Sequence, residues 1–414
     1  MAVSIRRNTK NVNQYRILML LENNPFPQDV RVNREAHTLA AAGYNVTVIC
    51  PRGQGQPWHE VVDGIHAWRF PAPPEFRGAL GYLVEYGYAM LAMFVLSLVV
   101  AMTKGFDVVH AHNPPDTLVF IGAFYKMFGK RFVFDHHDLA PDMYNALFEN
   151  GKPLIHKILI WTEKLSCQLA DHVIVTNNSY KQVDMERSGV AEDKITVVRN
   201  GPNLKLFRPT TPVAELRKEG KVTICYLGDM GHHDGVDYLL RALNHLVFDL
   251  GKTNIYCAMV GGGSAQNDMQ VLSRKLELAP YVHFFGPVPH ADVAGYLSAA
   301  DICVAPEPSN TYNNRSTMIK ITEYMAMGKP IVAFDLPEHR YSADDAALYA
   351  EANNEYDFAQ KLAILIDNPD LRIARGAIGK QRIETRLAWT FQEEHLLSVY
   401  EMFTTSVKQS VVSH

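Results

Sequence analysis

The chain runs twice through one alternation: short apolar runs ending in polar or glycine-rich loops, separated by amphipathic stretches of helical period. Runs that are apolar at consecutive positions are strands covered on both faces, and a sheet so covered is parallel and wrapped by helices. In the first half Arg16–Leu21, Val46–Cys50, Val108–His110, Arg131–Asp135 and Val173–Val175 read as strands, with a helix over Val30–Ala42 closed by Gly43. The second half restarts at Val222–Leu227, followed by a helix over Val236–Leu250 and a strand at Ile255–Val260 that runs into Gly261-Gly262-Gly263. The pattern implies an α/β chain of two Rossmann-like, doubly wound domains. A length of 414 residues suits two cores. Turn-forming residues at Asn200–Asn203 and Arg208–Pro212 place the hinge near Phe207. The expected domains are 1–207 and 208–389, with an amphipathic helix over about 390–405 packing back on the first domain and frayed residues from Thr404 onward.

Composition narrows the function. A net charge of -4 excludes a nucleic-acid binder that works through a basic excess. The five cysteines are scattered, odd in number and without a CxxC pair, which fits a reduced, cytoplasmic compartment. Met1–Tyr15 is polar and is not read as a signal peptide. Tyr86–Thr103 carries eighteen residues without a charge, the lower edge for a membrane span. It reads first as a helix buried against the N-terminal domain and second as an in-plane membrane contact. A span is the third reading, because the strands before and after it belong to one sheet and a chain cannot cross a bilayer between them.

In open parallel sheets ligands bind beyond the carboxyl ends of the strands. In the second half these loops are Gly228-Asp229-Met230-Gly231, Gly261–Gly263 and Pro306–Thr317, the last entering a helix. Ser316 and Thr317 are expected N-caps for a helix over Met318–Met327, whose first amides and positive dipole end would hold a diphosphate. Lys320 in its first turn would add charge, and Glu323 on the same face would accept hydrogen bonds from a ribose; a solvated surface pair is the plainer reading. In the first half Val109–His112 ends a strand before Asn113-Pro114-Pro115, so His112 is expected to project from the loop; a histidine that merely satisfies a backbone carbonyl is the plainer reading. His137 and Asp138 follow the strand Arg131–Asp135, and Asp29 and Arg31 stand after the first strand, either meeting an acceptor or pairing with each other. The His136-His137-Asp138 cluster has no second cluster at ligand spacing, so no metal is assigned.

The run Asn313–Ala333 closely resembles the donor-binding segment of family 4 glycosyltransferases, as do Gly228–Gly231 with Asp234–Leu240, Phe285–Val288, Ala300–Pro306 and Val198–Gly201. The resemblance covers most of the chain and is stronger in the second half. It implies a GT-B fold, two domains facing a cleft, and transfer of a sugar from a nucleoside diphosphate, here expected to be a UDP-sugar, with retention and without a metal or cofactor. It implies donor contacts by Glu323, Ser316, Thr317, Met318, Gly228, Gly231, Gly261, Gly262 and Val288, and a place beside the reacting sugar for His112. Two departures stand out: Arg315 occupies the position of a family glutamate, and Asp229 and Asp234 occupy positions of an arginine and a lysine. Arg315 and Lys320 are therefore expected to neutralise the diphosphate, and Glu307 is a loose candidate for the missing carboxylate. The expected acceptor is a glycan or polyisoprenoid-linked saccharide of a surface-polysaccharide pathway, met at the inner face of a membrane through 86–103. A sugar-nucleotide epimerase of the same fold and a non-catalytic nucleotide-sugar sensor are the alternatives.

Overall fold

A computed structural model describes residues 15–72, 79–148 and 151–412, so most of the polar Met1–Tyr15 stretch lies outside the described residues. The chain divides into two compact units, Met1–Asn145 with Asn150–Arg199 and Gln392–His414, and Ala146–Glu149 with Asn200–Phe391.

The first unit is built on β1 (Arg16–Leu20), β2 (Asn45–Pro51), β3 (His59–Val62), β4 (Ile65–Phe70), β5 (Val108–His112), β6 (Arg131–His136), β7 (His172–Val175) and β8 (Ile195–Val197), in the order β3-β4-β2-β1-β5-β6-β7-β8. All neighbours run parallel except β3 and β4. That antiparallel edge was not expected from the apolar pattern. It turns at Asp63 and Gly64, both with positive φ, the two-residue hairpin that an Asp-Gly pair favours. Its helices are α1 (Val30–Ala41), α2 (Ala79–Thr103), α3 (Val119–Lys126), α4 (Ala140–Leu147), α5 (Pro153–Leu169) and α6 (Asn178–Ser188). The central strands are mostly apolar because both faces are covered; Leu18, Val109, Phe132, Phe134 and Val173 are fully buried.

Helix α2 corrects the expectation of a buried helix. Ala89, Met93, Ser97 and Val100 are buried against the sheet, whereas Leu91, Val95 and Met102 are exposed. Among the described residues it is the one helix long and apolar enough to cross a membrane by length and composition, and only 22% of that window is buried.

The second unit carries β9 (Val222–Leu227), β10 (Ile255–Val260), β11 (Val282–Gly286), β12 (Ile302–Ala305), β13 (Ile331–Phe334) and β14 (Ala347–Ala350), all parallel in the order β11-β10-β9-β12-β13-β14. Its helices are α7 (Val236–Asn244), α8 (Gln266–Lys275), α9 (Val293–Ala299), α10 (Ile319–Ala326), α11 (Pro337–Ala343), α12 (Glu355–Asp367) and α13 (Pro369–Arg382). The helix expected over Val236–Leu250 ends as α-helix at Asn244 and continues as a π turn over His245–Asp249. A last helix, α14 (Trp389–Val412), is helical beyond Thr404, where fraying was expected. Within the first unit its Tyr400 hydroxyl lies 2.7 Å from His110 Nδ1, and Gln392 Oε1 accepts from the Arg199 amide.

Each sheet reverses its winding next to its first strand, between β1 and β5 and between β9 and β12. The crevice beyond the carboxyl ends at such a reversal is where these sheets bind ligands. Beyond β9 and β10 the two glycine turns rest on each other: Gly228 N donates to Val260 O, and Met230 N donates to Gly262 O at 2.7 Å. Gly261 has φ +129, and a Cβ there would lie 1.8 Å from Gly228 O. Gly261→Ala should therefore destabilise the second unit by more than the roughly 1–3 kcal/mol of backbone strain alone. Thermal denaturation checks this, and an unchanged melting temperature would contradict the close approach.

Candidate active site

At the reversal in the second unit, one lysine organises the surroundings. Lys320, in the first turn of α10, extends to Glu307, which follows β12, with Nζ 2.6 Å from Oε1. The same ammonium donates to the Tyr226 hydroxyl at 3.1 Å and lies 4.4 Å from the centre of that ring. It passes over Gly228, just past β9, whose φ of +146 favours glycine and where a Cβ would stand 2.9 Å from Nζ. Burial alone would lower the Lys320 pKa, but Glu307 outweighs it and keeps the ammonium charged. Glu307 is fully buried, with Oε2 3.6 Å from His339 Nε2. His339 Nδ1 lies 3.0 Å from the Phe334 carbonyl, and burial depresses its pKa, so the ring is neutral with its proton on Nδ1.

The loops around this group are fixed by their own polar residues. Asp234 Oδ2 accepts from Gly231 N at 2.8 Å, which commits that carboxylate to the turn; its burial raises its pKa and Lys320 opposes the rise. Asn313, fully buried, donates from Nδ2 to the His233 and Pro308 carbonyls at 2.9 Å each, tying the loop before α10 to the one after β9.

Several expectations change here. Helix α10 starts at Ile319 with Met318 as N-cap and no side-chain cap, so Ser316 and Thr317 are not its caps. Ser316 Oγ donates to the Tyr312 carbonyl, and Thr317 Oγ1 donates to Glu338 Oε2 at 3.2 Å. Lys320 and Glu323 are not a solvated surface pair, since Glu323 is buried and Lys320 turns to Glu307. Arg315 lies in the turn before the helix, its amide donating to Tyr312 O. Val288, just past β11, packs partly buried on the second unit's core, and Gly262 closes against Pro287.

In the first unit the corresponding reversal holds a buried ionic chain. His112 is the last residue of β5, as expected, but its side chain is wholly buried and does not project from the loop. Its Nδ1 lies 2.9 Å from Asp135 Oδ2, its register partner on β6. The same carboxylate takes two bonds from Arg31, Nε at 2.7 Å and Nη2 at 2.6 Å. Arg31 also meets Glu35 at 3.1 Å and donates to the Val198 carbonyl. Burial pushes the Asp135 pKa up, but Arg31 and the His112 hydrogen bond outweigh it and hold the carboxyl well below its ordinary range. His112 Nδ1 thus faces a charged carboxylate, and its Nε2 is buried without a hydrogen-bond partner among the described residues.

Arg31 is thus buried beneath the site and does not pair with Asp29, which caps α1 by accepting from Val32 N at 2.9 Å. His137 and Asp138 follow β6, their amides donating to Asn113 Oδ1 at 2.8 and 3.1 Å, and the His137 ring lies 6.3 Å from that of His112. Burial draws the His137 pKa down to about 4, so the ring is neutral. His136 leaves this group: its Nδ1 lies 2.8 Å from Asp184. Two sets of ligand-type atoms lie within 4.8 Å of one another, Glu35-His110-His112-Asp135 and His136-Cys167-Asp184. In the first, Arg31 pairs with both carboxylates.

Sequence reading missed Asp135, Glu35, Tyr226, His339 and Glu22. The signal for Asp135 was its position, last but one in a buried strand beside the strand that carries His112. Glu22, directly after β1, is buried, and burial with Glu85 nearby raises its pKa to about 7.

A Glycosyl transferases group 1 model matches residues 221–368, and a Glycosyl transferase 4-like domain model matches residues 28–201. The chain is 25% identical over 320 residues to a D-inositol 3-phosphate glycosyltransferase of Thermobispora bispora, covering 74% of this chain and 73% of that protein. It is 26% identical over 393 residues to the phosphatidyl-myo-inositol mannosyltransferase of Mycobacterium leprae, covering 92% and 96%. Anabaena HepE, solved in complex with UDP and glucose, superposes with a TM-score of 0.72 at 14% identity over 93% of this chain and 99% of that one.

Asp135→Asn leaves Arg31 short of a buried counter-charge and should cost about 3–5 kcal/mol by denaturant unfolding. A loss below the range of a surface pair would contradict the buried chain. Glu22 yields a pH dependence. Its folded pKa of about 7 exceeds its ordinary value of 4.5, so its contribution is full below pH 4.5 and lost as pH rises through about 7. Between those limits the wild type should lose about 2–3 kcal/mol relative to Glu22→Gln; parallel stability curves would refute the assignment.

Proposed function

We propose, from the premise that the chain is a family 4 glycosyltransferase of the GT-B fold, that it transfers a sugar from a UDP-sugar to a glycan or polyisoprenoid-linked saccharide with retention of configuration. The observation that carries the reading is Lys320 lying across Gly228 at the strand reversal of the second unit. An ammonium has three N–H donors; Glu307 and Tyr226 take two, which leaves one for a diphosphate oxygen without breaking the ion pair. Arg315, in the adjoining turn, supplies a second positive charge, and the leaving diphosphate is stabilised by these cations and the first amides of α10, without a resident metal ion. Glu323 holds the ribose. UDP is the donor nucleotide favoured by the ligand of HepE, and a lipid-borne acceptor accords with the phosphatidyl-myo-inositol mannosyltransferase of Mycobacterium leprae.

The reaction is assigned to the front face. The acceptor oxygen bonds to the anomeric carbon on the side from which the phosphate leaves, the carbon–phosphate-oxygen bond breaks, and the acceptor proton passes to that phosphate oxygen. Double displacement would need a free carboxylate as nucleophile. Asp135, the carboxylate nearest His112 on the strands, is held by Arg31 and His112 together. His112 orients sugar hydroxyls through Nε2. The setting is the cytoplasmic face of a membrane, in the assembly of a surface glycan.

A thermal-shift panel of nucleotide sugars tests the donor, since about 100 times the dissociation constant adds roughly 2.7 kcal/mol of stability. Glu323→Ala should lose most of that shift. Lys320→Ala should lose roughly 100- to 1,000-fold in turnover and also destabilise the unit, because Glu307 is left buried and uncompensated. Adding Glu307→Gln should restore stability while turnover stays lost. Recovery of both would remove Lys320 from the chemistry. Isomerised donor without acceptor, or binding without turnover, would replace the transferase reading.

A further inference from the structure

Helix α2 is apolar on two opposite faces, and only one of them is used by the fold. Ala89, Met93, Ser97 and Val100 pack on the first sheet. Val84, Leu91, Val95 and Met102, spaced seven, four and seven residues apart, fall within about 20° of one line on the other side, with Leu91 65% and Met102 79% exposed. The bare face does not stop at α2. Phe94 contacts Phe124 edge-on at 5.0 Å and Ser97 bonds Tyr125, joining α2 to α3. Phe120 and Trp161 approach at 6.2 Å, joining α3 to α5. Met127 and Phe128, just past α3, are exposed, and so are Leu154, Ile158 and Trp161, an i, i+4, i+7 stripe along α5.

The charge around this face has one sign. Lys104 ends α2, Lys152 precedes α5, and Lys157 and Lys164 flank the Leu154 stripe; all four are exposed. The acids on the three helices are Glu85, partly buried, and Glu163, which is buried and paired with Arg187. Exposed apolar side chains gathered on adjoining helices and edged by charge mark a contact surface. A two-fold contact between copies would set this lysine rim against itself. A span by α2 is excluded, because β4 before it and β5 after it belong to one sheet.

We propose that α2, α3 and α5 form a platform that lies in the headgroup layer of an anionic bilayer, with Leu91, Met102, Leu154 and Trp161 entering the acyl boundary and the four lysines meeting lipid phosphates. The proposal rests on the reading of a membrane-borne acceptor and gives that reading its surface.

The test is co-sedimentation of the full chain with vesicles of phosphatidylcholine alone or with added phosphatidylglycerol, which needs neither donor nor acceptor. Wild-type protein is expected to sediment with the anionic vesicles and less with the neutral ones. Lys157→Glu with Lys164→Glu should weaken anionic binding about tenfold or more, and Leu154→Ser with Trp161→Ser should weaken binding to both. Each variant should keep the wild-type melting temperature and donor thermal shift, so a failed transferase assignment would show in the donor panel while vesicle binding stood. Wild-type protein remaining in the supernatant, or charge-reversed protein sedimenting like wild type, overturns the platform. A concentration-dependent dimer that Leu154→Ser dissociates, with no vesicle binding, overturns it in favour of a second copy.

Discussion

The second unit depends on a lysine and a glutamate that are buried together. Taking either charge out of water alone would cost several kcal/mol, so the pair exists only where the chain can bring both to one point. The strand reversal supplies that point: Glu307 leaves β12, Lys320 opens α10, and Tyr226 lies near the end of β9, the strand hydrogen-bonded to β12. Gly228 lies on the same path: its φ of +146 favours glycine, and a Cβ there would stand 2.9 Å from the ammonium.

The first unit solves a related problem with the charges exchanged. There an arginine on α1 and a histidine on β5 share one buried carboxylate on β6, again beside the reversal. The carboxylate is kept ionised and is unavailable for covalent chemistry. What the arrangement leaves without a partner is a single buried imidazole nitrogen. In both units a buried ion pair fixes the orientation of one nitrogen, Lys320 Nζ in one and, through Nδ1, the His112 ring in the other.

Much of this was legible from the chain. The strands at Val222–Leu227 and Ile255–Val260 came out with the expected bounds because both are apolar runs closed by glycine. The β3–β4 hairpin was passed over although Asp63-Gly64 announces it, because the flanking strands carry histidines and an arginine that blur the alternation. The start of α10 was misplaced because Ser316 and Thr317 are good caps in isolation, while here their hydroxyls are drawn to Tyr312 and Glu338, contacts made by tertiary structure. The partners of Lys320, Arg31 and His112 lie 13, 104 and 23 positions away, and no local pattern links a charge to a counter-charge at such separations. The two-sided character of α2 was hidden for another reason: an all-apolar helix gives no periodicity from which to tell its packed side from its bare one.

The acidic residues at Asp229 and Asp234, set against the arginine and lysine that the family resemblance leads one to expect, then acquire a physical explanation. Asp234 is committed to a loop amide, and the loop itself is held by Asn313, so neither turn depends on a ligand to become ordered. The positive charge is carried instead by a helix residue anchored to a buried glutamate. A lysine on a flexible glycine loop would have to be ordered by each arriving donor, whereas Lys320 is already fixed by Glu307 and by the ring of Tyr226. In the proposed reaction its remaining N–H meets the phosphate without a change of rotamer. Preorganisation of this kind stabilises a leaving group most, because no reorganisation is needed as the charge develops.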